Sequence, residues 1–282
     1  MHKYCLFNGE IKDASQPVFQ VNDLAILRGY GIFDFMPIKN SIPLFFEDYW
    51  NRFKNSAQIT GLQLNFSKGE FEQQIKTLIE KNDIGDGFCR VILTGGYSSN
   101  GFAPDGTPNC VVTTLSSFGY ALSDYTEGIK LLTLQYTREN PRVKSLNYST
   151  VLMQQERLKK EGAEDVLYLN QNKVISESSR ANFFIFSADK ILLTPDSDIL
   201  PGITRKYVLE VAKEKGMTVK VEDFNLEKVK KARAAFLTST TKNIMPIVRI
   251  DDFDINDGII DPVIKELQEG LKERINRYIA GK

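Results

Sequence analysis

Histidine is almost absent from this 282-residue chain, since His2 is the only one. A single histidine beside the first residue cannot supply a catalytic triad or dyad, and it cannot build a histidine-rich zinc site. The sequence therefore argues against histidine-based hydrolases, and we expect no metal site. If the chain is an enzyme, proton transfer must fall to lysine, tyrosine or a carboxylate, or the chemistry must come from a cofactor.

Cysteine is also scarce, with Cys5, Cys89 and Cys110 far apart in the sequence. An odd number of widely spaced cysteines argues against a disulfide framework and indicates a reducing compartment. The first residues, MHKYCLFNGEIKDAS, lack the charged-then-apolar profile of a signal peptide. We therefore expect a cytoplasmic protein.

Charge of one sign is not in excess, because 36 basic residues balance 36 acidic ones and no basic block stands out. This balance argues against a nucleic-acid partner. No apolar stretch reaches membrane-spanning length, so we expect no membrane partner either. A Walker loop and a G-x-G-x-x-G motif are both missing from the sequence.

What is present is a mixture of strand and helix patterns in two parts, which predicts an α/β or α+β protein. In the first part, FEDYWNRFKNSAQITGL and SKGEFEQQIKTLIEK have the apolar spacing of helices among several strands. The polar, aperiodic stretch around residues 117–127 is predicted to be a linker. The predicted domains are therefore 1–116 and 128–282. In the second domain strands alternate with helices, including one helix over LNYSTVLMQQERLKKEG.

Two segments of the second part have the composition of an anion site. ILPGITRKYVLEVAKEKG begins a helix after a Pro-Gly turn, and Thr204 adds a hydroxyl to the amides there. TSTTKN, residues 238–243, places four hydroxyl residues at the end of a strand. The alternatives are a helix start capped by water and hydroxyls that bond their own backbone.

Three charged residues have both a functional and a plain interpretation. Arg52 could bind an anion or be a surface charge. Lys144, between a proline turn and a helix, could be a nucleophile or a solvated lysine. Glu177, between two apolar strands, could face a ligand cation or ring nitrogen, or it could face water at a strand end.

Six segments of the chain stand out together: RGYGIFDF, NRFKNSA, KSLNY, EDVLYLNQNKVISESSRANFF, LPGITR and FLTSTTKNIMPI. In these segments, and in their order and spacing, the sequence resembles the class IV, or fold type IV, pyridoxal-phosphate enzymes over nearly its whole length. These enzymes include branched-chain and D-amino acid aminotransferases and aminodeoxychorismate lyases.

The resemblance implies an α+β, two-domain fold with a smaller N-terminal α/β domain and a larger C-terminal one that binds pyridoxal 5'-phosphate, in a homodimer. Lys144 matches the lysine that bonds to the cofactor, and Glu177 matches the glutamate beside the pyridine nitrogen. The other cofactor-binding residues that the resemblance implies are Arg52 for the phosphate, Tyr148 near the ring hydroxyl, Ile203 and Thr204 at the helix start, and Ser239 and Thr240 opposite them.

The residues expected to bind substrate differ from the patterns of the known members. Branched-chain aminotransferases carry Tyr-x-Arg-Pro where this chain has FCRV, so Arg90 remains while its neighbours differ. We expect Arg90 or the amide at Thr241 to meet the substrate carboxylate, because an unpaired buried charge is costly. Phe33 would form a wall of the side-chain pocket. The alternative for Arg90 is solvent exposure or a pair with an acid such as Asp34.

These observations predict a pyridoxal-phosphate-dependent aminotransferase, which transfers an amino group between a small or hydrophobic amino acid and a 2-oxo acid. The alternative is a 4-amino-4-deoxychorismate lyase, which releases pyruvate and 4-aminobenzoate with the same lysine and cofactor. A third possibility is a protein that binds the cofactor or a phosphate without turnover, although the presence of both Lys144 and Glu177 argues against it.

Overall fold

The computed structural model of the chain describes residues 2–16 and 18–282. Contacts between residues divide it into two compact units. The first comprises the residues through Phe118 together with Val143–Asn147 and Arg277–Lys282. The second comprises Gly119–Arg142 and Tyr148–Asn276. The predicted α+β class is confirmed by the mixture of strands and helices in both units, whereas the predicted domain limits stay a prediction.

The first unit is built on an antiparallel sheet with the strand order β2-β1-β6-β5-β3-β4. Helices α2 and α3 are its longest helices. Its elements are β1 (Tyr4–Phe7), β2 (Glu10–Asp13), α1 (Leu24–Arg28), β3 (Gly31–Lys39), β4 (Ile42–Pro43), α2 (Phe46–Thr60), α3 (Lys68–Lys81), β5 (Gly87–Thr94) and β6 (Cys110–Ser116).

Helix α3 begins at the capping box that its sequence predicts. The Glu70 amide donates to Ser67 Oγ at 3.3 Å, and the Ser67 amide donates to the Glu70 carboxylate at 2.7 Å. Its buried residues recur at helical spacing: Phe71, Ile75, Leu78 and Ile79. The local cap and the apolar face therefore specify the same helix.

The second unit contains a mixed sheet with the order β12-β11-β10-β13-β14-β7-β8-β9, in which β9 also pairs with β10. Its elements are α4 (Leu122–Thr126), β7 (Ile129–Gln135), α5 (Ser149–Leu152), α6 (Gln155–Glu161), β8 (Asp165–Leu169), β9 (Ile175–Ser178), β10 (Asn182–Ser187), β11 (Ile191–Thr194), α7 (Ile203–Glu214), β12 (Thr218–Val221), α8 (Leu226–Val229), β13 (Ala232–Ser239), β14 (Asn243–Ile250), β15 (Phe253–Asp254), a 3-10 turn (Asn256–Gly258) and α9 (Pro262–Ala280).

Apolar clusters cover both faces of this sheet. Alternate residues of β13 belong to different clusters, with Phe236 in one and Leu237 in the other. The cluster around Phe236 includes residues of α7 and α9, such as Val208 and Leu267. Burial on both faces explains why the central strands are continuous apolar runs in the sequence.

The single helix predicted over LNYSTVLMQQERLKKEG is wrong, because the structure has two short helices there, α5 and α6. The helical ladder is interrupted where the Gln154 amide donates to Val151 O, three residues back, rather than four. Leu152 and Met153 at the break are exposed, so no apolar contact enforces one continuous helix. The segment predicted as a linker contains α4, whose first turn is capped by Asp124.

No helix among residues 2–16 and 18–282 combines the length and the apolar character that crossing a bilayer requires.

Candidate active site

Lys144 is fixed by strand-like pairing with the beginning of β3, inside the first unit. The Phe33 amide donates to Lys144 O at 2.9 Å, and the Leu146 amide donates to Gly31 O at 3.1 Å. A side chain at Gly31 would not fit here without a shift, because a Cβ atom would lie 2.9 Å from the backbone oxygen of Leu93. Local backbone geometry therefore sets the position from which the lysine side chain extends.

The side chain of Lys144 lies against an aromatic ring. Its Nζ is 4.5 Å from the centroid of the Phe33 ring, a distance at which an ammonium ion is attracted to the ring face. The backbone amide of Lys144 donates to Ser56 Oγ on α2 at 3.2 Å. Lys144, predicted as the nucleophile, and Phe33, predicted as a wall of the pocket, are therefore neighbours.

Arg52, on α2, forms a two-pronged ion pair with Asp34 of β3. Arg52 Nε donates to Asp34 Oδ2 at 2.9 Å, and Arg52 Nη2 donates to Asp34 Oδ1 at 2.5 Å. The arginine side chain is only 8% exposed and the aspartate 3%. Arg52 is therefore not the solvated surface charge of the alternative interpretation. A guanidinium has five N–H donors, so this pair alone does not preclude an anion.

Arg90 lies on the opposite face of the sheet from Asp34. Neighbouring residues of antiparallel strands share a face, and the register pairs Phe35 with Arg90 and Phe33 with Ile92. The guanidinium lies 5.3 Å from the centroid of the Phe35 ring. The predicted alternative in which Arg90 pairs with Asp34 is wrong, because Asp34 points to α2 and binds Arg52. Arg90 and Phe33 thus lie on the same face of the first unit's sheet.

Glu177 is a buried carboxylate held by several donors in the second unit. Its Oε1 accepts from Arg138 Nε at 2.8 Å, and its Oε2 accepts from the Leu200 amide at 2.9 Å. Asn182, its neighbour across the strands, donates to Oε2 at 3.4 Å. The alternative of a strand-end glutamate that faces water is wrong, because the side chain is 5% exposed. A cation and two amide groups therefore hold this carboxylate in place.

The predicted helix start at Gly202 exists, with α7 beginning at Ile203. Gly202 is in extended conformation and has no side chain to cap the first turn, so the amides of Ile203 and Thr204 lack an intrahelical acceptor. Arg205 ties this turn to β11, donating to Thr194 Oγ1 at 3.2 Å and to Pro195 O at 2.9 Å. The end of a twelve-residue helix is the kind of site that holds an anion.

A buried hydroxyl lies on the same face of the sheet as Asn182, a residue that contacts this helix start. Thr238 pairs with Asn182 across the strands, so their side chains share a face. Asn182 in turn contacts Gly202, where a Cβ would lie 1.9 Å from Asn182 Oδ1. Among residues 2–16 and 18–282, Thr238 Oγ1 is the buried side-chain oxygen that has no hydrogen-bond partner. An orphaned donor beside a helix N-terminus fits an anionic ligand.

The other predicted phosphate residues lie in the loop that joins β13 to β14. Ser239 Oγ accepts from the Lys242 amide at 3.1 Å and lies 3.5 Å from Thr241 Oγ1. Thr240 lies between them in the turn. The serine hydroxyl is therefore used in part by its own loop, as the alternative interpretation expects.

Tyr148 precedes α5 and packs, partly buried, against the cluster of Val166 and Tyr168. It belongs with Glu177, Ile203, Thr204, Ser239, Thr240 and Thr241 to the second unit, whereas Phe33, Arg52, Arg90 and Lys144 belong to the first.

Sequence reasoning missed Arg138, Asn182 and Lys242. Arg138 bonds to Glu177 from 39 residues away, and the buried Lys242 pairs with the half-buried Glu164 from 78 residues away. No local pattern marks either pair, because Arg138 and Lys242 both lie in polar segments outside the strands and helices. A glutamate between two apolar strands is the one sequence signal that a cation lies near it.

The family model for class IV amino-transferases matches residues 31–250. A D-alanine aminotransferase of Staphylococcus aureus is 26% identical over 275 residues, which cover 96% of this chain and 97% of the relative. The Escherichia coli branched-chain amino acid aminotransferase structure is similar, with a TM-score of 0.91 at 23% identity, and covers 98% of this chain and 95% of its own.

A third similar protein is a candidate 4-amino-4-deoxychorismate lyase of Legionella pneumophila. Its structure has a TM-score of 0.82 at 27% identity, and covers 92% of this chain and 96% of its own. The matched family segment runs from the first residue of β3 to the last residue of β14. The resemblance drawn from the sequence is thereby confirmed, and the chain belongs to the class IV aminotransferases.

Proposed function

We propose that this chain is a pyridoxal-phosphate-dependent aminotransferase that transfers the amino group of a small or hydrophobic amino acid to a 2-oxo acid. The observation that carries the proposal is the buried Glu177 carboxylate, held by Arg138 and by the Leu200 amide two residues before Gly202. A fixed negative charge suits a protonated ring nitrogen, and a helix N-terminus suits a phosphate. Membership of the class IV family supports the same cofactor.

The donor set of the chain fits this cofactor. Arg52 and the amides of Ile203 and Thr204 would bind the phosphate, together with the hydroxyls of Ser239 and Thr240. Glu177 would bind the ring nitrogen, and Tyr148 the ring hydroxyl. The orphaned hydroxyl of Thr238, on the same sheet face as Asn182 beside Gly202, further supports an anion there.

When bound, the cofactor supplies a carbonyl carbon that bonds to amines and a ring that accepts electrons. Lys144 Nζ would hold that carbon until a substrate amine replaces it. The released Lys144 amine would then take the proton from the substrate Cα and move it to the carbonyl-derived carbon of the cofactor. Its contact with Phe33 keeps one side of the amine in apolar surroundings.

Arg90, with Phe33 on the same face of the first unit, would bind the substrate carboxylate, and the Thr241 amide would assist. A guanidinium pairs a carboxylate through two parallel hydrogen bonds, which fixes the orientation of the substrate Cα. Phe33 would then limit the size of the side chain.

The test of this function is a panel of L- and D-amino donors with 2-oxo acid acceptors, in which both products are measured. The proposal expects an amino acid and a 2-oxo acid to be exchanged in equal amounts. No exchange with any donor, despite bound cofactor, would contradict it.

The second candidate is a 4-amino-4-deoxychorismate lyase, favoured by the 27% identical neighbour described as a candidate for that activity. Pyruvate and 4-aminobenzoate released from aminodeoxychorismate, without an amino acceptor, would select this activity. The same panel therefore separates the two reactions.

We further propose a cytoplasmic homodimer. Buried, unpaired Cys5, Cys89 and Cys110 support a reducing compartment. Val21 and Phe102, both more than 80% exposed, give the first unit apolar surface for a second copy. Light scattering of the purified protein at several concentrations would test the dimer, and a monomer at all of them would contradict it.

A further inference from the structure

Lys242 is a fully buried lysine, with 0% of its side chain exposed. A buried ammonium ion is costly unless charged and polar partners surround it. Lys242 Nζ donates to Glu164 Oε1 at 2.7 Å and to the hydroxyl of Tyr120, and it lies 3.8 Å from the centroid of the Tyr120 ring. No part of this amine can reach a substrate, so any role it has must act through other residues.

The backbone of Lys242 is held as firmly as its side chain. Its amide donates to Ser239 Oγ at 3.1 Å, and its carbonyl accepts from Tyr125 Oη at 3.1 Å. Burial raises the pKa of Tyr125 to about 12, with Tyr120 and Asp124 acting in the same direction. The Tyr125 hydroxyl therefore stays a proton donor at neutral pH.

These contacts all converge on the short loop between β13 and β14. Ser239 and Asn243 form the last pair of the hairpin, and Asn243 has a positive φ of 50°. The loop between them, 240–242, is therefore tethered at its C-terminal residue to Glu164, Tyr120 and Tyr125.

Glu164 extends the tether toward Glu177. It also pairs with Arg180 at 3.5 Å, and Arg180 lies 3.9 Å from Asp165. Asp165 accepts from the hydroxyls of Ser178 and Ser179, the two residues that follow Glu177. A chain of polar contacts thus joins the loop after β13 to the end of β9, through Arg180, whose side chain is 51% exposed.

We propose that Lys242 is a positioning residue. It fixes residues 239–241, at the end of β13 and in the loop that follows, for the phosphate of the cofactor and the carboxylate of the substrate. This inference rests on the proposed function, in which Ser239, Thr240 and Thr241 are the residues that bind those anions. Lys242 holds the hydroxyls and amides of the loop in place. Glu164 links Lys242, through Arg180 and Asp165, to β9, the strand that contains Glu177.

The test replaces Lys242 with methionine, which keeps the length of the side chain and removes its charge. The dissociation constant of pyridoxal phosphate should rise about tenfold to a hundredfold, as expected when binding groups are misplaced by a fraction of an ångström. The phosphorus resonance of the bound cofactor should shift. At saturating cofactor KM for the amino donor should rise more than kcat falls.

A matched control is Lys228→Met, which breaks an exposed ion pair with Glu222 of the same 2.7 Å length in the same unit. It should leave the dissociation constant and the phosphorus resonance unchanged, since exposed pairs contribute little.

A double variant, K242M with E164Q, separates positioning from a general loss of stability. E164Q removes the carboxylate that K242M leaves without its buried cation, so the melting temperature should return toward the wild-type value. If Lys242 positions the loop, the double variant should still bind pyridoxal phosphate as weakly as K242M does. Recovery of affinity together with stability, or a K242M affinity within twofold of the wild type, would overturn the inference. A wild-type protein that binds no pyridoxal phosphate would overturn the proposed function as well.

Discussion

Lys144 is held by backbone bonds on both sides, with Phe33 as donor to its carbonyl and Ser56 as acceptor of its amide. A nucleophile on such a fixed backbone loses little entropy when its side chain reacts. We therefore predict that borohydride reduction of the holoenzyme attaches the cofactor to Lys144, and that peptide mapping finds the label on that residue.

Lys144→Ala should bind the cofactor reversibly and should lose the borohydride label altogether. The Lys228→Met protein, altered at an exposed lysine, is the control and should be labelled like the wild type. Label on any other lysine of the wild-type protein would show that Lys144 is not the residue that bonds to the cofactor.

Glu177 has a partner that competes with a ligand for its charge, namely Arg138. Glu177→Gln removes the negative charge and leaves the guanidinium, with 17% of its side chain exposed, without its carboxylate. We predict that proton removal from substrate slows by about 3 to 4 kcal/mol in barrier height, comparable to the loss of one preorganised electrostatic group. Single-turnover absorbance measures this step.

The variant should also unfold more easily, because a guanidinium without its counter-charge is destabilising. Glu222→Gln, at an exposed ion pair, is the control for the loss of a carboxylate. An unchanged single-turnover rate in Glu177→Gln would mean that the carboxylate serves only to bind Arg138.

Arg90 shares a face with Phe33 and is separated by the sheet from the Arg52–Asp34 pair. Arg90→Ala should weaken substrate binding by about 2 to 4 kcal/mol, the usual cost of removing one partner of a desolvated charge pair. Cofactor affinity should not change. Titration of the holoenzyme with an unreactive carboxylic acid analogue measures the first effect, and absorbance of the bound cofactor measures the second.

The exposed Arg249, paired with Asp254 at 3.2 Å, is a suitable control position for an arginine-to-alanine change. Equal losses of cofactor and analogue in Arg90→Ala would indicate a folding defect. No loss of either would leave the carboxylate to the Thr241 amide.

At the scale of elements, the start of α7 depends on a glycine for a steric reason. A Cβ at Gly202 would lie 1.9 Å from Asn182 Oδ1, and Asn182 also donates to Leu200 O at 2.8 Å. Gly202→Ala should therefore displace either the helix start or Asn182, at a cost of roughly 1 to 3 kcal/mol in the free energy of unfolding. Chemical denaturation measures it.

The same variant should bind pyridoxal phosphate more weakly, because both the α7 amides and the Asn182 contact to Glu177 are affected. Gly119→Ala is the control in the second unit, since nothing lies within 4 Å of a Cβ there. Normal stability and normal cofactor affinity in Gly202→Ala would show that the helix start tolerates the change.

The elements with local signals could be predicted from the sequence, and those set by distant contacts could not. Helix α3 carries a capping box and an apolar face, so both its start and its orientation follow from residues 67–79. Helix α4 has a local cap from Asp124 but no buried residue, and the residues at the break near Met153 are exposed. Neither segment therefore combines a cap with an apolar face, and its limits do not follow from the sequence pattern.

The residues of the candidate site follow the same distinction. Segments such as KSLNY and LPGITR mark Lys144 and Thr204 through their resemblance to the family. Arg138, Asn182 and Lys242 act through pairs that join distant strands, and one-dimensional patterns carry no register between strands. The sequence thus indicates which residues could bind a ligand, and the fold shows which other residues hold them.

At the scale of the whole molecule, the protein should gain stability from the cofactor by mass action. A ligand that binds only the native state stabilises it by about 2.7 kcal/mol when its concentration is a hundred times its dissociation constant. We predict that removal of pyridoxal phosphate lowers the melting temperature, and that adding the cofactor back restores it in a concentration-dependent way.

Stabilisation by pyridoxal, which lacks the phosphate, should be measured beside stabilisation by pyridoxal phosphate. The amides of Ile203 and Thr204 and the side chain of Arg52 are proposed to bind that phosphate, so pyridoxal should stabilise the protein far less at equal concentration. In Gly202→Ala the difference between the two ligands should shrink, because the helix start is the part of the phosphate site that the substitution disturbs. Equal stabilisation of the wild type by pyridoxal and by pyridoxal phosphate would show that the α7 N-terminus does not bind the phosphate.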